Sequence, residues 1–158
     1  MGRYEIINKL KKYFIIQELV GQYTYKKHGD RAWKFFSTDA LHMLLILRVE
    51  IGKPITINTW HNGGIFSQRG LRTNLQNIFR QITKSFKLYL SGHVLGEAFD
   101  LDVEGMSANQ VRGWIKNHQH LFPFKIRLEN KKNGKYISWV HIDCIQEERN
   151  NKIHFFNV

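Results

Sequence analysis

The chain has 158 residues and carries 24 Lys and Arg against 13 Asp and Glu, a formal net charge of +11. Apolar residues make up 42% and there are only two prolines, which excludes a disordered or collagen-like chain. The length suits one domain, over residues 1–158, able to bury roughly two-thirds of its unfolded surface.

The charge favours polyanionic partners: nucleic acid, an anionic membrane surface or an anionic bacterial wall. Basic residues are spread out, with small clusters at Lys9–Lys12, Lys26–Lys27 and Lys131–Lys135. The longest apolar run, Leu44–Leu47, is followed at once by Arg48 and is far too short for a membrane span. Lys9, Lys11 and Lys12 precede YFII, but Gln17 and Glu18 interrupt that run and no small-residue cleavage site follows, so no signal peptide is read. The single cysteine, Cys144, has no intrachain partner for a disulfide, in keeping with a reducing compartment.

In chain order, Thr38 and Asp39 are candidate caps for a core helix through ALHMLLILRVEIG, ending at Gly52. ITINTW at 55–60 alternates apolar and polar residues like a half-buried strand, and NGG at Asn62–Gly64 breaks it. NLQNIFRQITKSF spaces Leu75, Ile78, Phe79, Ile82 and Phe86 three and four apart, which predicts an amphipathic helix. Ser107 with Gln110 forms a capping-box pattern opening a helix through VRGWIKNH. KIRLEN, KKNGK and YISWVHIDC read as a hairpin turning at Asn133-Gly134, and IHFFNV is a candidate last strand.

Two segments carry the chemistry, SGHVLGEAFDLDV at Ser91–Val103 and WVHIDC at Trp139–Cys144. Side chains alternate across a strand, so Phe99, Leu101 and Val103 share one face while Ala98, Asp100 and Asp102 share the other. By the same parity Val140, Ile142 and Cys144 oppose Trp139, His141 and Asp143. Each strand thus hides an apolar face and presents Asp or His opposite. His93, Asp100 and His141 together offer two imidazoles and a carboxylate, a set suited to a divalent metal with an open position for water. Gly96 permits the sharp bend that their convergence requires. Cys144 falls on an apolar face and reads as a small hydrophobe.

SGHVLGEAFD resembles the Ser-x-His-x-x-Gly-x-Ala-x-Asp pattern of the M15 zinc D-alanyl-D-alanine carboxypeptidases and endopeptidases, with Ser91, His93, Gly96, Ala98 and Asp100 at matching spacing. WVHID resembles that family's late tryptophan-containing strand, and YFIIQELV at Tyr13–Val20 resembles an early segment of its phage and prophage branch. The resemblance implies an α+β fold, a central antiparallel sheet flanked by helices, of the hedgehog/DD-peptidase type. It also implies one Zn2+ held by His93, Asp100 and His141, and hydrolysis of peptide bonds in bacterial peptidoglycan stem peptides by a zinc-activated water. The family's early arginine, which meets substrate oxygens, has two candidates here, Arg69 and Arg72 in SQRGLRTN. Trp60 and His61 precede them and are candidate cleft residues.

The chain departs from the pattern at Ser138, where many family members carry a catalytic Glu three residues before the last ligand. A hydroxyl does not shuttle protons near neutral pH as a carboxylate does. Glu129 is the preferred substitute base. A two-residue Asn133-Gly134 turn puts it opposite Ser138 but turns Ile126 and Leu128 onto the face of His141, against their apolar character. A one-residue bulge or a longer loop resolves the conflict by placing Glu129 beside Trp139 or Ile137, on the face of His141. Asp143 and Asp102 compete as bases, or orient a ligand histidine.

Three functions follow for weighing. The first is a zinc-dependent peptidoglycan peptidase of a phage lysis or entry type, its basic surface drawn to anionic wall polymers. Without an export signal it would wait in the host cytoplasm or travel with the virion. The second is a non-catalytic wall-binding or virion structural protein retaining the fold, which Ser138 keeps open. The third, a nucleic-acid binder, explains the charge but leaves the His-Asp-His arrangement idle and has no recognisable reading motif.

Overall fold

A computed structural model of the chain describes residues 1–76, 78, 90–148 and 150–158. The fold is α+β: a five-stranded sheet in the order β1-β2-β4-β3-β5, built from β1 (Ile55–Thr56), β2 (Ala98–Val103), β3 (Ile126–Lys132), β4 (Lys135–Asp143) and β5 (Ile153–Asn157). Among the described residues the helices are α1 (Arg3–Leu10), α2 (Gln22–His28), α3 (Thr38–Glu50), α4 (Gly92–Leu95) and α5 (Ala108–Asn117), with 3-10 segments between some of the elements. No helix among the described residues is long and apolar enough to cross a membrane.

The core lies on one face of the sheet. Phe99 and Leu101 of β2, Val140 and Ile142 of β4, and Ile126 and Leu128 of β3 are buried in one cluster with α1, α3 and α5. Helix α3 is apolar nearly all round, with Ala40, Leu41 and Met43–Leu47 buried, as befits a helix inside the core. Its cap is Ser37, whose hydroxyl accepts from the Ala40 N–H at 3.1 Å, one residue before the expected Thr38 and Asp39. The capping box at Ser107 and Gln110 forms in both directions and starts α5, which adds Val111 and Ile115 to the core.

Three differences from the sequence reading have physical causes. First, only Ile55 and Thr56 of ITINTW pair in the sheet, with Val103 and Asp102. Ile57 is still buried, but the next backbone groups bond elsewhere: Asn58 N–H to the Glu18 carbonyl and Thr59 N–H to the Phe66 carbonyl. Second, the sheet is mixed, because β5 runs parallel to β3 while the other pairings are antiparallel. The outer edge of β4 is taken by β2, so the chain leaving β4 returns to the free edge of β3, beginning where β3 begins. Third, the hairpin changes register. Lys132 faces Lys135 and Lys131 faces Tyr136, as a two-residue turn demands, with Asn133 and Gly134 both at positive φ. A bulge between Glu129 and Lys131 then displaces the pairing, so that Glu129 faces His141 instead of Ser138, Trp139 or Ile137. The displacement is odd in number, which returns Ile126 and Leu128 to the apolar face.

The bulge is held from outside the ladder. Arg112 of α5 is buried, and its guanidinium donates to the carbonyls of Glu129, Ile137 and Trp139 at 2.8–3.1 Å, satisfying groups the displaced ladder leaves over. The amphipathic helix predicted at 74–86 lies largely outside the described residues.

Gly96 ends α4 at φ +71°, and a Cβ there would lie 2.1 Å from the Phe35 carbonyl oxygen. Gly96→Ala is therefore expected to destabilise the protein by about 3 kcal/mol or more. Urea unfolding measures this, and an unchanged midpoint would contradict the packing described.

Candidate metal centre

Asp100 on β2 is directly paired with His141 on β4, and His141 is directly paired with Glu129 on β3. A polar row therefore crosses three adjacent strands on the face away from the core. His93 joins it from α4, which is set close to the sheet because Gly92 has no side chain: a Cβ there would lie 2.8 Å from that of Ala98. His93 and Asp100 are buried and His141 is partly buried.

Three atoms converge. His141 Nδ1 lies 2.7 Å from Asp100 Oδ1 and 3.2 Å from His93 Nε2, and His93 Nε2 lies 3.3 Å from Asp100 Oδ1. Tetrahedral zinc with bonds near 2.0–2.1 Å spaces its ligand atoms about 3.3 Å apart, so this triangle fits that ion with little movement. The outer nitrogens are engaged as ligand histidines require. His93 Nδ1 donates to the Gly70 carbonyl at 2.9 Å, leaving Nε2 as a lone pair facing the triangle. His141 Nε2 donates to Asp143 Oδ2 at 3.2 Å, and Asp143 is in turn gripped by Arg127 at 2.7 and 3.0 Å. The second oxygen of Asp100 accepts from Arg72 at 3.0 Å.

This arrangement sets the charges. Burial opposes ionisation of Asp100, but the hydrogen bond from His141 and the nearness of the two imidazoles outweigh it and hold the carboxyl far below its ordinary range. Burial likewise disfavours a charged His141, yet its bonds to Asp100 and Asp143 raise its pKa to about 9. His93 is pushed down, chiefly by burial. A proton on His141 Nδ1 and a metal ion thus compete for the same electron pairs.

A cavity of about 410 Å³ opens over the triangle. His93, Asp100, His141, Glu129, Arg72, Arg127, Trp139 and Phe156 are among the residues that line it. The two candidate arginines have different places. Arg72 is at the site, whereas Arg69 pairs with Asp102 and stacks on the Phe66 ring at 3.6 Å, outside that lining. Asp102 is thereby engaged away from the histidines. Ser138 is exposed and does not line the cavity, while Glu129 does. Trp60 donates its indole N–H to the Val20 carbonyl at 2.8 Å, and neither it nor His61 lines the cavity. Cys144 is buried, its thiol pushed up to about 12 mainly by burial, which removes it as a nucleophile.

Two participants escaped the sequence reading. Arg127 is fixed on Asp143, its direct partner across β3 and β4, and parity beyond the bulge is the signal that finds it. Phe156, paired with Glu129 on β5, sets its ring against that of His141, the centroids 5.8 Å apart and the planes at 88°. Comparison with protein-family models, with curated proteins and with solved structures returns no significant match.

Asp143→Asn is expected to weaken zinc binding by about 10- to 100-fold, with the fold retained. Competition with a chromogenic chelator measures it, and unaltered affinity would remove Asp143 as the orienting group. The pH dependence of the chelator-treated protein has a definite sign. His141 has a raised folded pKa, so its contribution is complete below its unfolded value of 6.5 and is lost as pH rises through about 9. Asp100 and Asp143 are lowered, so theirs is present above the ordinary value of 3.8 and lost on acidification. Urea unfolding of the chelated protein should show stability falling between about pH 6 and pH 10, and a rise over that window would contradict the arrangement.

Proposed function

We propose that the protein is a zinc-dependent hydrolase of peptide bonds in bacterial peptidoglycan, cutting either a terminal D-alanine or a crosslink. The observation that carries this reading is the convergence of His93 Nε2, Asp100 Oδ1 and His141 Nδ1 beneath an open cavity that also receives a carboxylate, Glu129. Two neutral nitrogens and one carboxylate form a three-ligand set that leaves positions free for water and substrate, as catalytic rather than structural zinc requires. Zinc bound there supplies Lewis acidity, polarising a carbonyl and acidifying water.

The chain's own residues supply the rest. Glu129 takes the proton from the attacking water and returns it to the leaving amine, the role its place in the cavity permits. Arg72 serves substrate oxygens as a charge-assisted donor, fixed by its bonds to Asp100 Oδ2 and to the Gln68 carbonyl. Trp139 and Phe156 wall off water and offer apolar surface to the peptide. The resemblance of SGHVLGEAFD and WVHID to the M15 peptidases supports the substrate class, and the net charge of +11 suits an anionic wall. The same resemblance favours a phage lysis or entry role.

The test is mass spectrometry of purified peptidoglycan incubated with zinc-loaded protein, with and without chelator. New peptide termini that vanish with chelator are expected, and they identify the bond. Glu129→Gln should bind zinc normally and lose about 100-fold or more in kcat. No cleavage across several wall chemotypes, with zinc bound, would overturn the peptidase reading in favour of a fold retained for wall binding or virion assembly.

A further inference from the structure

A second cavity, of about 370 Å³, lies against the first. Arg72 lines both, and consecutive residues of α4 divide between them, His93 facing the metal triangle and Val94 the second cavity. Their chemistry differs. The metal cavity contains Asp100, Glu129 and Asp143, whereas no Asp or Glu is among the described residues lining the second. Its polar residues include Lys27 and His28 at the end of α2 and Tyr23 one turn earlier. Phe35, Leu71 and Val94 give it an apolar floor. Lys27 and Tyr23 are exposed, so both reach a ligand without rearrangement of the core.

We infer that this second cavity is a subsite for a carboxylate-bearing residue of the substrate, held by Lys27 while the scissile bond lies over the metal triangle. The inference rests on the peptidase reading and adds to it a determinant of specificity. A carboxylate there meets the Lys27 ammonium across partly exposed space, and the apolar floor receives the carbon chain that carries it. A lysine-type peptidoglycan stem peptide, the one used in the test, has two such groups, a glutamyl carboxylate and a C-terminal one, and the cavity's chemistry suits both.

The test uses a stem pentapeptide, the same peptide amidated at the glutamyl carboxyl, and the same peptide amidated at the C-terminus. Binding is measured by calorimetry on zinc-loaded Glu129→Gln protein, which suppresses turnover, first with Lys27 intact and then with Lys27→Ala or Lys27→Arg added. Cleavage is followed in parallel with Glu129 intact. One of the two amidations should weaken binding about fivefold, and that amidation identifies which carboxylate enters the cavity. Lys27→Ala should reduce the penalty to less than about twofold, and Lys27→Arg should keep it. Equal penalties with and without Lys27, or no penalty from either amidation, while cleavage continues, would overturn the subsite and leave the peptidase reading standing. Absence of peptide binding while whole crosslinked peptidoglycan is still cleaved would overturn the subsite alone, and absence of both would overturn the two together.

Discussion

The hydrogen bond from His141 Nδ1 to Asp100 Oδ1 joins two residues that face each other across β2 and β4, and the chemistry of the open sheet face is organised around it. Because the pair is directly opposed in an antiparallel ladder, its separation is set by the backbone and not by long flexible side chains. His93 completes the triangle from a four-residue helix that can approach only because Gly92 and Gly96 lack side chains. Around the triangle each outward atom has a partner: the Gly70 carbonyl for His93, Asp143 for His141 and Arg72 for Asp100. Such partners fix ring orientation and tautomer before any ligand arrives.

The same face depends on an irregularity in the hairpin. A regular ladder from the Asn133-Gly134 turn would send Glu129 to Ser138 and turn two apolar residues outward. The bulge before Lys131 instead satisfies the core with Ile126 and Leu128 and delivers Glu129 and Arg127 to the side of His141 and Asp143. Arg112 makes this tolerable by donating to the carbonyls of Glu129, Ile137 and Trp139, so a buried cation from the helical layer holds strands that the turn alone would misalign. The exposed Ser138 and the cavity-lining Glu129 belong to one solution: the register that withdraws one position supplies the other.

Much of this was legible from local pattern. Parity in AFDLDV and WVHID correctly separated the apolar faces from the Asp and His faces, and the capping box at Ser107 announced α5. The conflict between turn register and apolar alternation called for either a one-residue bulge or a longer loop, and the structure has a bulge. Its size was not legible, because it depends on Arg112, whose sequence neighbours give no hint of a role inside the sheet. The parallel pairing of β5 escaped for a similar reason: strand direction follows from which edge is free, a property of the assembled sheet. Arg69 and Arg72 were indistinguishable in SQRGLRTN and part only when Asp102 takes one and Asp100 the other. The short helices α1 and α2 carry too little periodicity to be read.

The site also sets acids among arginines and histidines within a basic protein. Three acids, Asp100, Asp143 and Glu129, gather on one sheet face, each beside an arginine or histidine, in a chain of net charge +11. The most direct test of the centre is X-ray absorption spectroscopy of the zinc-loaded protein, with zinc content measured on the same sample. The account predicts one zinc per chain, with two imidazole nitrogens and one carboxylate oxygen from the protein at about 2.0–2.2 Å and water completing the sphere. Less than stoichiometric zinc, a thiolate ligand, or a spectrum unaltered by His93→Ala would contradict it.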